Sequence, residues 1–282
     1  MAPRVFFITG TSTGFGEELV KLALQKGDYV VATARNSSKL SFEGANSTNS
    51  LFVDLDVTSK AAIDNAFDQA IKKFKRVDVV VNNAGYGLNG PFETLSEKQI
   101  RTQMEINFFG LIDVTRKAME VMRDLKTGGV IQQVTSIGGQ LGFPCYSIYG
   151  ASKWAVEGFT EAISKEVKPE WGIKFTLIEP GGFRTDWAGR SMDFGEIDHP
   201  AYDHINGREI ANKRHGNQPG DPVKAAKVFY ELAVMENPPL RCIVGTDAYK
   251  AINQKLETYT KSVKQFEELS NSTDVDGYQA PA

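Results

Sequence analysis

Two side chains that can handle protons, Tyr149 and Lys153, stand four residues apart, and Ser136 precedes them at the end of a predicted strand. Positions i and i+4 lie on one face of a helix, so a helix that begins near Tyr149 places the phenol beside the ammonium. A free tyrosine has a pKa of about 10, and a nearby cation favours the phenolate. The spacing predicts a tyrosine that exchanges a proton with a substrate alcohol or carbonyl, with the Ser136 hydroxyl bonding the same oxygen. The alternative is an incidental Tyr-x-x-x-Lys on a surface helix.

The elements that would position these groups follow from hydrophobic periodicity. Strands are predicted at 5–9, 29–34, 51–54, 77–81, 130–135, 173–178 and 241–244, and helices at 17–25, 61–74, 97–123, 149–167 and 222–235. Continuous apolar strands that alternate with helices predict an α/β fold with a doubly wound parallel sheet and helices on both faces. The helix from Tyr149 is predicted to bury one apolar face, which consists of Trp154, Phe159, Ile163 and Val167.

Two segments lack this alternation. Residues 186–221 have no clear period and contain Gly, Pro, His and aromatic residues, and an insertion of that length predicts a substrate lid. From about residue 270 the chain is polar, which predicts a frayed C-terminal tail. We expect residues 1–282 to form a single domain that includes both segments.

Composition and charge limit the classes of protein to which this chain can belong. A net charge of −3 and ordinary composition favour neither a nucleic-acid partner nor a membrane surface. The chain has no secretory signal pattern, and its two cysteines form no disulfide framework, so we expect a cytoplasmic protein. The pairs Asp198-His199 and Asp203-His204 lie on one unpatterned loop, and we predict no metal site.

The first predicted strand leads directly into a glycine-rich turn with Gly10, Gly14 and Gly16. Glycines at this spacing allow a tight turn and bring bare backbone N–H groups to a helix N-terminus, where a pyrophosphate can bind. The spacing differs from G-x-G-x-x-G, so that fingerprint is absent. The alternative is a glycine turn that serves only packing.

The turn after the second strand carries Arg35 and no acidic residue. In a dinucleotide-binding sheet an acid at this turn suits the ribose 2′-hydroxyl of NAD, whereas an arginine suits a 2′-phosphate. Arg35 therefore favours NADP(H), and the alternative is a lone surface arginine. Further polar or glycine turns follow the later strands, at Asp56-Val57, Asn83-Ala84-Gly85, Pro180-Gly181 and Thr185.

Together these motifs resemble the classical short-chain dehydrogenases/reductases. The motifs that carry the resemblance, over residues 4–186, are Thr9-Gly10-x-x-x-Gly14-x-Gly16, Asn82-Asn83-Ala84-Gly85, Asn107, Ser136, Tyr149-x-x-x-Lys153 and Pro180-Gly181. The resemblance implies a Rossmann-type domain with a seven-stranded parallel sheet. It implies that Tyr149 is the general acid/base and that Ser136 orients the substrate oxygen. It also implies that Lys153 holds the nicotinamide ribose and lowers the tyrosine pKa, and that Asn107 holds a water of a proton relay.

The same resemblance implies where NADP(H) binds. The expected cofactor residues are Gly10, Ser12, Thr13, Gly14, Phe15, Gly16, Arg35, Asp56, Val57, Asn83, Ala84, Gly85, Tyr149, Lys153, Pro180, Gly181 and Thr185. Ser12 and Thr13 stand where some NADP-preferring members have a basic residue, so Arg35 is the main expected determinant and use of both cofactors stays open.

The implied activity is that of an NADPH-dependent carbonyl reductase or alcohol dehydrogenase, with a weaker resemblance to hydroxysteroid and retinol dehydrogenases. The expected substrate residues are Ser136, Phe143, Cys145, Tyr146, Tyr149 and Trp187, with Tyr202 as a further aromatic. The alternative for these aromatics is ordinary lid and core packing. We expect a small hydrophobic carbonyl or alcohol substrate, and a homodimer or homotetramer formed through helices 97–123 and 149–167. The alternative functions are a cofactor-binding sensor, a nucleotide-sugar epimerase or dehydratase, and a purely structural module.

Overall fold

A computed structural model describes residues 2–278 of the chain. Its strands are β1 (Val5–Ile8), β2 (Tyr29–Ala34), β3 (Ser50–Asp54), β4 (Val79–Asn82), β5 (Gly87–Asn89), β6 (Gly129–Val134), β7 (Ile173–Pro180), β8 (Met192–Phe194) and β9 (Arg241–Val244). Its α-helices are α1 (Gly14–Gln25), α2 (Lys60–Phe74), α3 (Glu97–Met104), α4 (Gly110–Asp124), α5 (Ser147–Glu166), α6 (Gly207–Arg214), α7 (Pro222–Val234), α8 (Thr246–Gln265) and α9 (Glu267–Asn271).

Seven of the strands form one parallel sheet, in the order β3-β2-β1-β4-β6-β7-β9. In the centre, Phe7 of β1 lies opposite Val31 of β2 and Val80 of β4. The strand order reverses between β1 and β4, and ligands of such sheets bind outside the carboxyl ends of the strands at this switch point. The predicted doubly wound fold is confirmed.

Both faces of the sheet are covered because the side chains of β1 alternate between two apolar cores. Phe6 and Ile8 join the core formed with α1 and α7, whereas Val5 and Phe7 join the core formed with α2 and α4. All four side chains are buried. This is the pattern expected of a strand inside a parallel sheet.

The predicted helix at 97–123 is helical, but α3 and α4 are joined by a π-helical turn, Glu105–Phe109. The turn contains Asn107, which is buried. π-Helical turns are rare and often occur at functional sites, where the extra residue redirects a side chain. Apolar periodicity could not reveal the turn because one wide turn hardly disturbs the pattern.

The apolar face predicted for α5 is wrong at Trp154, which is 47% exposed. The buried face of this helix consists of Tyr149, Gly150, Ser152, Lys153, Val156, Glu157 and Thr160. Polar groups occupy it because the helix presents site residues to the end of the sheet. On the outer face, the Lys255 ammonium lies 4.5 Å from the centre of a Trp154 ring.

The sequence interpretation missed helix α8, although its apolar residues recur every three or four positions. Ala248 and Ile252 are buried and anchor its first half after β9. The apolar residues further along, which include Leu256, Tyr259 and Val263, are exposed. Among the described residues, no helix is both long and apolar enough to cross a membrane.

Residues 186–221 contain local structure that periodicity did not predict. Strand β8 pairs with β5 in a small parallel sheet, helix α6 follows, and single 3₁₀ turns occur at Asp186–Ala188 and Pro200–Tyr202. At the C-terminus, α9 is exposed and ends at Asn271. Of the tail predicted from about residue 270, positions 279–282 lie outside the described residues.

Candidate active site

A cavity of about 1010 Å³ opens at the carboxyl ends of the strands. The predicted residues that line it are Gly10, Ser12, Thr13, Gly14, Phe15, Arg35, Asp56, Val57, Asn83, Ala84, Gly85, Ser136, Phe143, Tyr146, Tyr149, Lys153, Pro180, Gly181, Thr185 and Trp187. The sheet therefore brings turns that are distant in sequence to one place. Four predicted residues do not line the cavity, namely Gly16, Asn107, Cys145 and Tyr202.

Tyr149 lies in the first turn of α5, buried against the 3₁₀ turn that follows Ser136. Its hydroxyl is hydrogen-bonded to the Ser136 side chain, and Ser136 Oγ accepts a bond of 3.0 Å from the Gly138 N–H. Burial raises the pKa of Tyr149 to about 12, and the hydrogen bond to Ser136 acts in the opposite direction. At neutral pH the group is therefore a phenol, which is a proton donor.

Lys153 stands one helical turn after Tyr149, and its ammonium donates a hydrogen bond of 2.9 Å to the carbonyl of Val134. Burial lowers the pKa of Lys153 to about 8, while the charge of Glu157 acts to raise it. The ammonium lies 5.9 Å from the centre of the Tyr149 ring. The net shift of the Tyr149 pKa is upward because desolvation of the phenol dominates, and the expected lowering by Lys153 stays a prediction.

Asn107 is buried behind the cavity wall and makes hydrogen bonds within the protein. Its Oδ1 accepts from the Tyr86 N–H at 3.1 Å, and its Nδ2 donates to the Tyr86 carbonyl at 3.0 Å and to Ser152 Oγ at 3.4 Å. The side chain thus fixes the segment after β4 relative to α5. Its expected role as the holder of a relay water stays a prediction.

The turns after β1 and β4 are held together by Asn83 and Thr9. Asn83 Nδ2 donates to the carbonyls of Thr9 and Gly10 at 3.0 and 2.9 Å, and Thr9 Oγ1 accepts from the Asn83 and Ala84 N–H groups. Gly16 supports this junction from behind, because a Cβ there would lie 2.6 Å from Asn83 Nδ2. These contacts fix the position of the glycine-rich turn.

The glycine-rich turn has the features of an anion site. Gly10 and Gly14 adopt φ of 69° and 63°, and a Cβ on Gly10 would lie 2.9 Å from the Cα of Ala84. Helix α1 begins at Gly14, and no side chain caps its N-terminus. Bare N–H groups and the helix dipole therefore face the cavity, and the residues fit a pyrophosphate.

Arg35 and Asp56 lie side by side at the far end of this wall. Arg35 is exposed, and no salt bridge to it occurs within residues 2–278. Asp56 Oδ1 accepts hydrogen bonds from the backbone N–H and the hydroxyl of Thr58, which lower the pKa of Asp56, and the charge of Arg35 adds to this effect. A free guanidinium beside the cavity fits a 2′-phosphate.

The segment after β7 is fixed by a residue that the sequence interpretation missed, Asp247 of α8. Its Oδ2 accepts a hydrogen bond of 2.8 Å from the Gly182 N–H, and a Cβ on Gly181 would collide with its carboxylate. Asp247 stands 65 positions from Gly182, so no local pattern could connect them. Pro180, Gly181 and Thr185 are held at the cavity in this way.

The opposite wall is aromatic and surrounds Tyr149. The ring of Trp187 lies 5.0 Å from that of Tyr149 and 6.0 Å from that of Tyr146, and Phe143 and Met192 pack against the same cluster. Two residues that were expected on this wall do not line the cavity. Cys145 is buried outside the cavity, with φ of 67°, and the Tyr202 hydroxyl bonds Glu93 at the exposed surface.

A buried group of charges that no motif indicated lies behind Lys153. Glu157 and Glu179 are 4% and 1% exposed and share Arg241, at 3.0 and 3.7 Å. Burial and the neighbouring Glu157 raise the pKa of Glu179 to about 7. The described residues contain no cluster of three or more His, Cys, Asp or Glu side chains suited to a metal ion.

Comparison with known proteins identifies the family to which this chain belongs. The family model described as short chain dehydrogenase matches residues 4–194. This chain belongs to the short-chain dehydrogenases. It is 36% identical over 272 residues to the Schizosaccharomyces pombe protein named uncharacterized oxidoreductase C162.03, which covers 96% of this chain and 92% of that protein. It is 34% identical over 248 residues to a 3-ketodihydrosphingosine reductase of Bacteroides thetaiotaomicron, with coverage of 87% and 89%.

Solved structures agree with this assignment. A short-chain dehydrogenase from Streptomyces avermitilis superposes with a TM-score of 0.87 at 34% identity, over 97% of this chain and all of that one. The structure described as ElxO with NADP bound superposes with a TM-score of 0.69 at 26% identity, over 86% of this chain and 96% of that one. The short-chain dehydrogenase described here is an oxidoreductase with the Rossmann-like fold of its family.

Proposed function

We propose that this short-chain dehydrogenase is an NADPH-dependent carbonyl reductase that interconverts a hydrophobic ketone or aldehyde with its alcohol. The observation that carries the proposal is the pair formed by the buried Tyr149 and the half-buried Ser136, at the point where the glycine-rich wall meets the aromatic wall. A bound nicotinamide supplies the hydride. The remaining steps, which are binding and polarising the carbonyl and protonating its oxygen, belong to residues of this chain.

The two hydroxyls have distinct tasks in the proposed reaction. Ser136 Oγ–H donates a hydrogen bond to the substrate carbonyl oxygen, which polarises the C=O bond. Tyr149 donates its proton to the same oxygen as negative charge develops there. The raised pKa of Tyr149 favours this direction, because the phenol is the form present at neutral pH. In the reverse direction Tyr149 accepts the proton of the alcohol.

Lys153 supports this chemistry through position and charge. Its hydrogen bond to the carbonyl of Val134 holds the ammonium at the end of β6, next to the glycine-rich wall. We propose that the ammonium binds the nicotinamide ribose there. The positive charge also stabilises the phenolate that forms after proton transfer. With a pKa near 8 it loses its charge above that pH, so we expect cofactor affinity to fall on the alkaline side.

NADP(H) is proposed as the cofactor because of Arg35. Its exposed guanidinium lies at the cavity with no ion pair among residues 2–278, so a 2′-phosphate can bind there. ElxO, whose structure holds NADP, supports the choice as a related protein. The aromatic wall, with Phe143, Tyr146 and Trp187, supports a hydrophobic substrate, and we propose that residues 186–221 act as its lid.

Two further properties are proposed. We expect a homodimer or homotetramer that pairs through the helices at 97–123 and 149–167, because Phe109 and Trp154 there are 48% and 47% exposed. Light scattering of the purified protein measures this directly. A cytoplasmic location is supported by the two free cysteines, Cys145 and Cys242.

The test is a panel of ketones and aldehydes with NADPH or NADH, in which the alcohol formed is quantified against the cofactor oxidised. We expect one alcohol per NADPH, loss of activity in Ser136→Ala, and full activity in Tyr202→Phe, whose hydroxyl lies outside the cavity. A nucleotide-sugar epimerase would interconvert its substrate with no net oxidation of cofactor. A sensor would bind cofactor and turn over none of the panel, and either result contradicts the proposal.

A further inference from the structure

Glu157 is a buried carboxyl group to which the proposed reaction gives no task. It is 4% exposed and lies one helical turn after Lys153 on the buried face of α5. Side chains four positions apart share a face of a helix and tilt towards its N-terminus, so Glu157 leans towards Lys153. A buried charge is costly unless other groups compensate it, so the partners of Glu157 indicate what it does.

Three donors from different elements converge on this carboxylate. The Thr135 hydroxyl donates to Glu157 Oε1 at 2.7 Å, and Arg241 Nε and Gln140 Nε2 donate to Oε2 at 3.0 and 3.4 Å. These bonds favour the ionised form and oppose burial, which raises the pKa of Glu157. Glu179 lies farther from Arg241 Nε, at 3.7 Å. Of the two buried carboxyl groups, Glu157 is therefore the one better stabilised as an anion.

The donors include both ends of the turn that begins at Ser136. Thr135 immediately precedes Ser136, and Gln140 ends the 3₁₀ turn that follows it. Inside the turn, a Cβ on Gly139 would lie 3.1 Å from Cγ of Glu157, which is closer than ordinary van der Waals contact. The stem of Glu157 therefore packs against the turn, and its carboxylate bonds both ends of it.

Lys153 is held at the same strand end, because its ammonium donates to the carbonyl of Val134, the residue before Thr135. The charge of Glu157 acts to raise the pKa of Lys153, against the burial that lowers it to about 8. The other titratable groups on the elements around this pair are Tyr149 and Glu161 on α5, Glu179 on β7, Arg241 and Cys242 on β9, and Lys255 on α8.

We propose that Glu157 is a positioning residue, whose carboxylate keeps the Lys153 ammonium charged and fixes the turn that carries Ser136. The inference rests on the proposed function, in which Lys153 binds the nicotinamide ribose and Ser136 binds the substrate carbonyl. The two tasks can be separated by experiment. The charge of Glu157 matters only where Lys153 can lose its proton, whereas the hydrogen bonds matter at every pH.

The first test measures the pKa of Lys153 in the cofactor-free protein, by NMR of ¹³C-labelled lysine. The Lys153 resonance is identified by its loss in Lys153→Met. Glu157→Gln keeps the length of the side chain and an oxygen that can accept the Thr135 hydrogen bond, but it has no charge. We expect the pKa of Lys153 to fall from about 8 to about 7, because the opposite charge nearby is lost.

The matched control is Glu161→Gln. Glu161 lies one helical turn farther along α5 and also bonds Arg241, at 2.8 Å. Its substitution removes the same charge and a bond to the same arginine, but at twice the separation in sequence from Lys153. We expect the pKa of Lys153 to stay near 8 in this variant.

Cofactor affinity gives a second measurement of the charge. Since the alkaline fall in NADPH affinity follows the loss of the Lys153 proton, Glu157→Gln should bind NADPH about fivefold more weakly than the wild type at about pH 8. At about pH 6 Lys153 is protonated in both proteins, so the two dissociation constants should be equal. A merely structural role of Glu157 would weaken binding equally at both pH values.

Glu157→Asp tests the hydrogen-bonding task, and it does so even if Glu157→Gln does not fold. The variant retains the carboxylate but is one methylene shorter, so it cannot reach Thr135 and Gln140 as Glu157 does. We expect the pKa of Lys153 to stay near 8. With a ketone that the wild type reduces, kcat should fall about tenfold at every pH, because Ser136 is less well positioned.

The remaining outcomes overturn the inference in distinguishable ways. If Glu157→Gln leaves the pKa of Lys153 unchanged, or Glu161→Gln lowers it equally, Glu157 does not set the charge of Lys153. If Glu157→Asp keeps the wild-type kcat, Glu157 does not position Ser136. If the wild-type protein binds no NADPH, while the pKa of Lys153 shifts as expected, the proposed function fails and the positioning role fails with it.

Discussion

The two walls of the cavity are built from different parts of the polypeptide. The glycine-rich wall consists of turns whose backbones bond one another, as where the Asn83 amide holds the carbonyls of Thr9 and Gly10. The aromatic wall consists of side chains whose rings lie 5 to 6 Å apart, such as Trp187, which is stacked on Tyr146 and tilted against Tyr149. Backbone contacts tolerate few substitutions, whereas stacked side chains can be exchanged. One wall can therefore keep its ligand while the other changes its substrate.

The largest effect that this contrast predicts is the loss of stability caused by Gly16→Ala. The added methyl would lie 2.6 Å from Asn83 Nδ2 and closer still to the Gly10 carbonyl, both of which are fixed by hydrogen bonds. We expect the free energy of unfolding to fall by about 2–4 kcal/mol. Urea denaturation measures it.

The matched control for this prediction is Gly142→Ala, beside the aromatic wall. A Cβ there would have no heavy atom within 4 Å, and the residue is exposed. We expect a change within about 0.5 kcal/mol. Equal losses at both glycines would contradict the view that only one wall is built from close backbone contacts.

Arg35→Gln should change the affinity for one cofactor only. Removal of the guanidinium should weaken NADPH binding about 10- to 100-fold and leave NADH binding unchanged, because a charge-assisted bond to the 2′-phosphate is lost. Dissociation constants at fixed ionic strength check this, with Arg116→Gln on the surface of α4 as the control for the lost charge. Equal weakening of NADPH and NADH binding would show that Arg35 does not bind the 2′-phosphate.

Glu179→Gln should change how stability depends on pH. In the native protein the pKa of Glu179 is raised from 4.5 to about 7, so this group favours the folded state below pH 4.5 and loses that contribution as pH rises to 7. Relative to the wild type, the variant should gain about 3 kcal/mol in unfolding free energy between pH 4.5 and 7.5. Denaturation curves across that range measure the gain.

Other charges near Glu179 could mask this dependence. Glu157 raises the pKa of Glu179, whereas Arg241, Gln140 and Lys255 lower it. Because Glu157 and Glu179 repel each other, the difference between variant and wild type reports the titration of the coupled pair, and Glu157→Gln beside Glu179→Gln separates the two contributions. A difference that is flat with pH would mean that Glu179 stays ionised when buried.

The smallest effect is expected on the aromatic wall. Trp187→Ala removes the ring that contacts Tyr149 and Tyr146, and we expect KM for a hydrophobic ketone to rise about fivefold, which corresponds to the roughly 1 kcal/mol of one aromatic pair. The dissociation constant of NADPH should not change. If NADPH affinity falls and KM does not, Trp187 belongs to the cofactor wall and the division between the walls is wrong.

The glycine-rich wall was predictable from sequence because each of its turns directly follows a predicted strand. A residue that directly follows a strand of a parallel sheet lies at the carboxyl edge of the sheet. Gly10, Arg35 and Asn83 do so, and they line the cavity there. The strands themselves were predicted to within two residues, apart from the short pair β5 and β8. Continuous apolar runs in a buried parallel sheet give an unambiguous signal.

Contacts between distant segments could not be predicted. Asp247 holds Gly182 across 65 positions, and Arg241 reaches Glu157 across 84. Apolar residues normally face the core, so the sequence predicts Trp154 on the buried face of α5. In the structure, polar residues of the site occupy that face and Trp154 is exposed. The direction of the Tyr149 pKa shift depends on burial, and spacing alone does not report burial.

The most direct test of the central claim, that Tyr149 donates the proton where the two walls meet, compares wild type with Tyr149→Phe. Initial rates of NADPH oxidation are measured with a ketone that the wild type reduces, together with the dissociation constant of NADPH for both proteins. The account predicts that the rate falls by about 10²- to 10⁴-fold while NADPH binding is retained. A variant that keeps the wild-type rate would contradict it.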